Sequence, residues 1–412
     1  MDKMKIFYVN VIETNAGWGA ECFIDRGFKK LGHEVVNLDF RKHRNRLAEK
    51  FLEMGDFDVF LLQRGDFFPI ELIQAVNRPK LFWASELVTT CRDQDNLLIP
   101  GLFDHTFMHT KQCEDIVTSL GILNKENTSC IINGFDELAQ YKIPGMEKDI
   151  DVLFIGNVTR RRREILDRLK EKFNVYEGQA FGEEMTKLFN RAKIVLNIHK
   201  SENLDTETRI FEGLGCGAFV ISEKLSAENP FTDGELYVEA GTIDELEEKI
   251  AYYLAHDEER QAIAEKGYQE ALSKHTYTAR AEYIAGIMSK LTQNMDRSLP
   301  AIDREKVTAY MPKANEYQGS NIYRLGLSTV LAGIVSCIDE NINAKGYTNL
   351  LVDMVKCGKY RVGELIDSIV RFTQRKDDVL TTVAVQMFIA GIYLDVLPVL
   401  QKAYEINPLN PD

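Results

Sequence analysis

No stretch of this 412-residue chain is apolar for long enough to cross a bilayer. The longest uncharged run, Val379 to Leu394, still carries Thr381, Thr382 and Gln386 and falls short of the about 20 residues a spanning helix needs. It is expected to be a buried helix. Positive charge is also in deficit: Lys and Arg number 50 against 63 Asp and Glu, a formal net charge of −13, with a pI near 5.2. Such a chain lacks the field that non-specific nucleic-acid binding requires, so no nucleic-acid partner is expected. Cysteine is scattered, at Cys22, Cys91, Cys113, Cys130, Cys216, Cys337 and Cys357. That is an odd number with no C-x-x-C pair and no histidine at metal-ligand spacing, which predicts buried reduced thiols rather than a disulfide or metal framework. No basic, apolar and cleavage-site succession precedes the first strand at Met4, so a cytoplasmic protein without a transmembrane segment is expected. The rest of the composition, 45% hydrophobic and 27% charged, is that of a globular chain, and the length predicts two or three domains.

Through about residue 290, short β-rich apolar runs alternate with amphipathic helical stretches, the signature of βαβ units and parallel sheets. Lys5 to Val11, Glu34 to Phe40, Asp58 to Gln63, Lys80 to Ala84, Asp104 to His109 and Ser129 to Ile132 form the first set of strands. Residues 137–149, polar with Pro144 and Gly145, have the character of a linker. A second set begins with Asp151 to Ile155 and continues at Asn174 to Glu177, Ile194 to Ile198, Ala218 to Ser222 and Tyr237 to Glu239. Helices fit 161–173, 183–191, 206–214, 243–255 and 257–273. The expected domains are therefore 1–136 and 150–295, both Rossmann-like and doubly wound, facing a cleft. From 296 the pattern becomes helical, at 321–341, 346–358, 361–374, 378–393 and 395–406, and the end of this 296–412 tail has the spacing of a tetratricopeptide-type hairpin.

Loops at the carboxyl ends of strands converge on ligand in such folds. In the second half, Gly156 and Asn157 follow a strand and lead into Arg160, Arg161, Arg162 and Arg163. Arginines at a helix N-terminus are opposed by the macrodipole, so their presence favours an anionic ligand such as a diphosphate over a merely solvated helix start. Arg209 and Glu212 are three apart and share a helix face, as either an i,i+3 salt bridge or a ligand-binding pair. His199 ends a strand on the same side. Tyr176, Gly178 and Phe181 stand where a base could stack, with ordinary packing the better expectation. No D-x-D stands at a strand end, since Asp149 and Asp151 flank a strand start, and no metal site is expected.

Lys193 to His199, Arg209-Ile-Phe-Glu212-Gly-Leu-Gly-Cys-Gly217, Gly234 to Tyr237, Glu245-Leu246 and Tyr252-Tyr253-Leu254 together resemble the nucleotide-sugar half of the CgeB-like, spore-maturation-type glycosyltransferases, relatives of the group 1 retaining transferases. Gly17-Trp18-Gly19, Leu31 to Val35 and Asn133 to Asp136 resemble landmarks of the first half. The resemblance covers residues 4–290 and implies a GT-B fold with a nucleotide diphosphate sugar, UDP- or GDP-linked, as donor, no other cofactor, and metal-independent binding. It implies that Glu212 takes the ribose hydroxyls, that Arg209 with Arg160 or Arg161 holds the diphosphate, and that Gly17, Trp18 and Gly19 bring backbone N–H groups to the donor. The group 1 pattern has a second Glu where this chain has Leu204; Asp205, Glu202 and Glu207 are the nearby acids. Retaining transfer by front-face attack needs no catalytic pair, whereas an inverting enzyme needs a general base, for which Glu86 and His109 are the candidates. The sequence does not name the acceptor, for which a protein or a surface polysaccharide is the expectation, and the tail is an expected route to homo-oligomers. Two rival readings stand beside this one. A catalytically degenerate scaffold would recruit partners through its tail; an epimerase or phosphorylase on the same plan would need an acid–base set or pyridoxal lysine that no motif here marks.

Overall fold

The computed structural model describes residues 3–88, 93–199, 205–293, 295–311, 330–331, 333–338, 344–356, 362–373 and 376–408. In chain order the first elements are β1 (Lys5–Asn10), α1 (Ala20–Lys30), β2 (Glu34–Asp39), α2 (Leu47–Glu53), β3 (Val59–Gln63), α3 (Ile70–Gln74), β4 (Lys80–Ala84), β5 (His105–Met108), α4 (Lys111–Ser119) and β6 (Thr128–Cys130). These strands form a six-stranded sheet in the order β2-β1-β3-β4-β5-β6, with β3, β4, β5 and β6 pairing parallel. Then follow β7 (Ile150–Ile155), α5 (Arg160–Lys170), β8 (Val175–Gly178), α6 (Gly182–Arg191), β9 (Ala192–Asn197), α7 (Thr208–Gly215), β10 (Val220–Ser222), β11 (Val238–Glu239), α8 (Ile243–Ala255), α9 (Asp257–Lys274), α10 (Tyr277–Thr292) and α11 (Arg304–Tyr310). The second sheet is all-parallel, ordered β11-β10-β9-β7-β8.

The continuous apolar character of β7 follows from burial on both faces. Successive side chains alternate across a strand, so Val152 and Phe154 join Leu166, Leu169, Leu246 and Ile250 on one side of the sheet. Leu153 and Ile155 join Met185, Leu188, Phe189, Ile210, Phe211 and Leu214 on the other. Each such fully buried side chain contributes roughly 1.5–3 kcal/mol of transfer free energy. Thr159, Thr242 and Thr276 cap α5, α8 and α10, each accepting the backbone N–H three residues on.

The chain packs as two compact units. The first comprises residues 1–7, 11–42 and 131–294, and the second residues 8–10, 43–130 and 295–412. Within the first, α10 lies along α1, and the Arg280 guanidinium donates to the Ile132 and Asn133 carbonyls. The segment 137–149 has no helix or strand, yet it is tied down. Asn190 donates to the Tyr141 carbonyl at 2.9 Å and accepts from Ile143 N at 2.7 Å, and Lys148 Nζ donates to the carbonyls of Asn190 and Ala192. Within the second unit, α11 packs on α2 and α3. Buried Arg78 bonds the Leu299 and Phe57 carbonyls and Asp56.

The tail helices Lys345–Lys356, Val362–Phe372, Lys376–Ile389 and Tyr393–Ile406 share a separate core around Leu351, Leu365, Ile369, Leu380, Met387 and Val399. Residues 321–329 of the first expected tail helix lie outside the described residues; 330–338 is helical where described. The run Val379 to Leu394 is not one buried helix. It turns at Gly391, where Gly391 N bonds the Phe388 carbonyl and Ile392 N the Met387 carbonyl, a Schellman closure. Val385, Phe388, Ile389 and Tyr393 are exposed. Of the cysteines, Cys22, Cys113 and Cys216 are buried free thiols, whereas Cys130 and Cys337 are half-buried; Cys91 and Cys357 lie outside the described residues. Among the described residues no helix is long and apolar enough to cross a membrane.

Candidate functional site

In the second sheet the strand order reverses at β7, with β8 on one side and β9 on the other. Ligands of doubly wound sheets bind at such a switch point, beyond the carboxyl ends of the two diverging strands. Gly156 and Asn157 follow β7 there, Asn197 ends β9, and Ile198 and His199 follow it.

Arg209, on the first turn of α7, reaches into this point. Its Nε donates to the Ile155 carbonyl at 2.6 Å and its Nη1 to Asn197 Oδ1 and Glu207 Oε2, each at 3.1 Å. Its guanidinium lies 5.0 Å from the Phe154 ring centroid. Among the described residues Nη2 has no hydrogen-bond partner, and it rests against Gly156, where a Cβ would stand 2.6 Å from it. Gly156 has φ +151, so this position requires glycine for both backbone and space.

The four consecutive arginines spread around the first turn of α5. Arg160, its side chain 94% exposed, pairs with Glu164. Arg161 forks onto Glu223 and donates to the His199 carbonyl at 3.2 Å. Arg162 is the one that turns inward. Buried, it donates to the Ile198 and Asn157 carbonyls and to both oxygens of Glu207, at 3.1 and 3.0 Å. Burial lowers its pKa. Glu207 thus bridges Arg162 and Arg209. Burial would raise its carboxyl, but His199, Arg209 and Arg162 prevail and hold it at about 2. Glu207, one of the acids near the position of the second Glu in the group 1 pattern, is counter-ion to two guanidinium groups. Asp205 is half-buried, and Glu202 and Leu204 lie outside the described residues.

His199 is buried, with Nε2 2.7 Å from the Lys224 carbonyl and Nδ1 3.6 Å from Glu207. Burial lowers its pKa, but Glu207 and the Lys224 carbonyl outweigh that and raise it. Glu212, one turn beyond Arg209, makes no ion pair with it. Gln140 Nε2 donates to its Oε1 at 3.0 Å. The residue as a whole is half-buried, and burial of the carboxyl pushes its pKa up to about 7, against the pull of Arg209. Of the two readings of this spacing, the i,i+3 salt bridge is therefore absent, and both side chains keep capacity for ligand.

In the same unit, the loop before α1 is anchored by Thr14, whose N–H and hydroxyl bond Asp39 at 2.6 and 2.9 Å. Gly17 N and Trp18 N are spent inside the turn, on the Ile12 and Asn15 carbonyls. That removes two of the three backbone donors expected of this loop and leaves Gly19. Trp18 packs edge-on against Phe23, centroids 5.1 Å apart, and against the Phe211 side of the core. Tyr176 and Phe181 are exposed rather than packed, because they sit on the edge strand β8 and at the N-cap of α6. In the second unit Glu86 pairs with Arg64 at 3.0 Å, and His109 is buried beyond β5. Among the described residues no group of three His, Cys, Asp or Glu side chains is placed to hold a metal ion.

Residues 143–286 match the family described as glycosyl transferase-like. Sucrose-phosphate synthase from Thermosynechococcus elongatus superposes with a TM-score of 0.54 at 12% identity, covering 70% of this chain and 99% of that one. HepE of Anabaena, solved in complex with UDP-glucose, gives 0.50 at 15% identity, covering 70% and 100%. The fold is GT-B. The CgeB-like resemblance expected from the motifs is borne out by the spore protein CgeB of Bacillus subtilis, 28% identical over 107 residues. That match spans 23% of this chain and about a third, 32%, of CgeB. Both the family match and the switch-point cluster fall in the second half of the GT-B fold, which is followed here by the helical tail.

Proposed function

We propose that this chain transfers a sugar from a nucleotide diphosphate sugar, UDP- or GDP-linked, to a hydroxyl of a protein or surface glycan. The observation that carries this is Arg209: its Nη2 has no partner among the described residues and is held over Gly156 at the switch point, one helical turn from the enclosed carboxyl of Glu212. A guanidinium held on three fixed acceptors pays little ordering entropy to meet a phosphate. Glu212 accepts the two ribose hydroxyls, as a carboxylate can. The N-terminus of α5 and the backbone at Gly156 and Asn157 add positive potential for the diphosphate. Arg162 sets that potential from behind, with Glu207 keeping it from being excessive. Gly19 is the loop donor left for the transferred sugar.

Retaining transfer is favoured because neither candidate base is well placed: the Glu86 carboxylate is held by Arg64, and His109 is buried. In front-face attack the bond from the anomeric carbon to the diphosphate oxygen breaks, the acceptor oxygen bonds to the same face, and the leaving diphosphate takes the acceptor proton. Arg209 stabilises the charge that develops on that leaving group. With cationic side chains in this role, donor binding needs no bridging metal.

Isothermal calorimetry with UDP and GDP in EDTA-containing buffer tests the reading. Micromolar binding of one nucleotide is expected, weakened at least tenfold by Arg209→Ala or by Glu212→Ala, about 1.4 kcal/mol or more. Binding that appears only with added Mg²⁺ or Mn²⁺ would remove metal independence. Absence of binding to either nucleotide would leave the non-catalytic scaffold.

A further inference from the structure

The C-terminal hairpin carries an apolar surface that its own core does not cover. Lys376–Ile389 and Tyr393–Ile406 pack against each other through Val379, Leu380, Val383, Ala384 and Met387 on one helix and Val396, Val399 and Ala403 on the other. Roughly a quarter turn from that buried face of the second helix, Tyr393, Leu397, Leu400 and Tyr404 are exposed by 63%, 62%, 38% and 68%. Their intervals of four, three and four keep them in one line along the helix. Val385, Phe388 and Ile389 of the first helix are also exposed, and Phe388 meets Tyr393 edge-on at 5.2 Å, so the two sets join. Together they leave on the order of 800 Å² of mainly apolar surface, more than the largest patch of most monomers and about one partner's share of a standard interface. No charge interrupts the line. Asp395 lies on the far side of the helix, and Lys402 and Glu405 satisfy each other at 2.9 Å.

We propose that this face binds the same face of a second copy of the chain, forming a two-fold dimer. The four-three-four spacing is the repeat by which helices interlock side chains over long contacts. A two-fold contact needs only one patch that complements itself, and a line of Leu flanked by Tyr does so. A charged peptide or an anionic surface would find nothing there to pair with. The proposal is independent of the donor-site reading, since no residue of the face belongs to that site.

Sedimentation equilibrium on the full chain tests it. A mass near twice 47.1 kDa is expected at low micromolar concentration. Leu397→Glu combined with Tyr404→Glu should return the single-chain mass, with the far-ultraviolet spectrum and melting temperature kept because both side chains are already exposed. Leu397→Gln alone should weaken the dimer at least tenfold, and Asp395→Lys on the far side should leave it intact. A wild-type chain that stays at the single-chain mass into the high micromolar range would overturn the proposal. So would a dimer that survives the double substitution, or one lost equally with Asp395→Lys.

Discussion

Glu212 gathers the local chemistry into one titration. Enclosure lifts its carboxyl to about 7 in the folded chain, above the about 4.3 of an unfolded Glu. A raised acid pKa stabilises the fold fully below the unfolded value and loses that contribution as pH climbs through the folded one. Melting temperature should therefore fall between about pH 4 and pH 7 partly through this group. Glu212→Gln, neutral throughout, should shrink that fall by about 2–4 °C for each kcal/mol of linkage. On the proposed reading, affinity of the wild type for whichever of UDP and GDP it binds should rise over the same interval, because only the carboxylate can accept from both ribose hydroxyls, and differential scanning fluorimetry with calorimetry reads both trends. Arg209 and Glu212 as a candidate ligand-binding pair were legible in the motif. That Glu207 would neutralise two arginines, and that Arg162 rather than Arg160 or Arg161 would turn inward, was not. Consecutive residues on a helix point about 100° apart, and only the position of β9 decides which of four identical side chains meets Ile198.

Among the elements, strands were the easiest to foresee, since a parallel strand buried on both faces leaves an unbroken apolar run. Lys80–Ala84 falls where the run predicts it. Helix α10 was not foreseen as a partner of α1, because its contacts join residues some 250 positions apart in sequence. That crossing is tight: a Cβ on Gly27 would lie 2.8 Å from Ala281 Cβ and 3.0 Å from the Tyr277 carbonyl oxygen. Gly27→Ala should force the helices apart and cost about 1–3 kcal/mol in urea denaturation, as overpacking does. An unchanged midpoint would show that α1 and α10 pack more loosely.

For the molecule as a whole, residue 296 separates two kinds of pattern but not two structural units. The stretch 295–311 belongs with 43–130: Ile302 pairs with Val76, Arg78 caps the Leu299 carbonyl, and buried Val307 sits on α11. A chain cut after Met311 should keep its nucleotide binding and most of its thermal stability. A chain cut before Ser298 should lose several degrees in melting temperature and become prone to aggregation, since it strips Ile302 and Val307 from a core. Circular dichroism melts of the two truncations separate these outcomes.

The order of strands, the plan of two parallel sheets and the Arg209–Glu212 spacing were determined by the sequence itself, because apolar periodicity and short-range spacing are local properties of a chain. Which arginine enters the switch point, what neutralises it, why the Glu212 carboxyl sits near neutrality and which side of the last hairpin stays bare were decided only in the tertiary structure. Desolvation and ion pairing depend on what packs against a group from distant positions, and no local pattern records that.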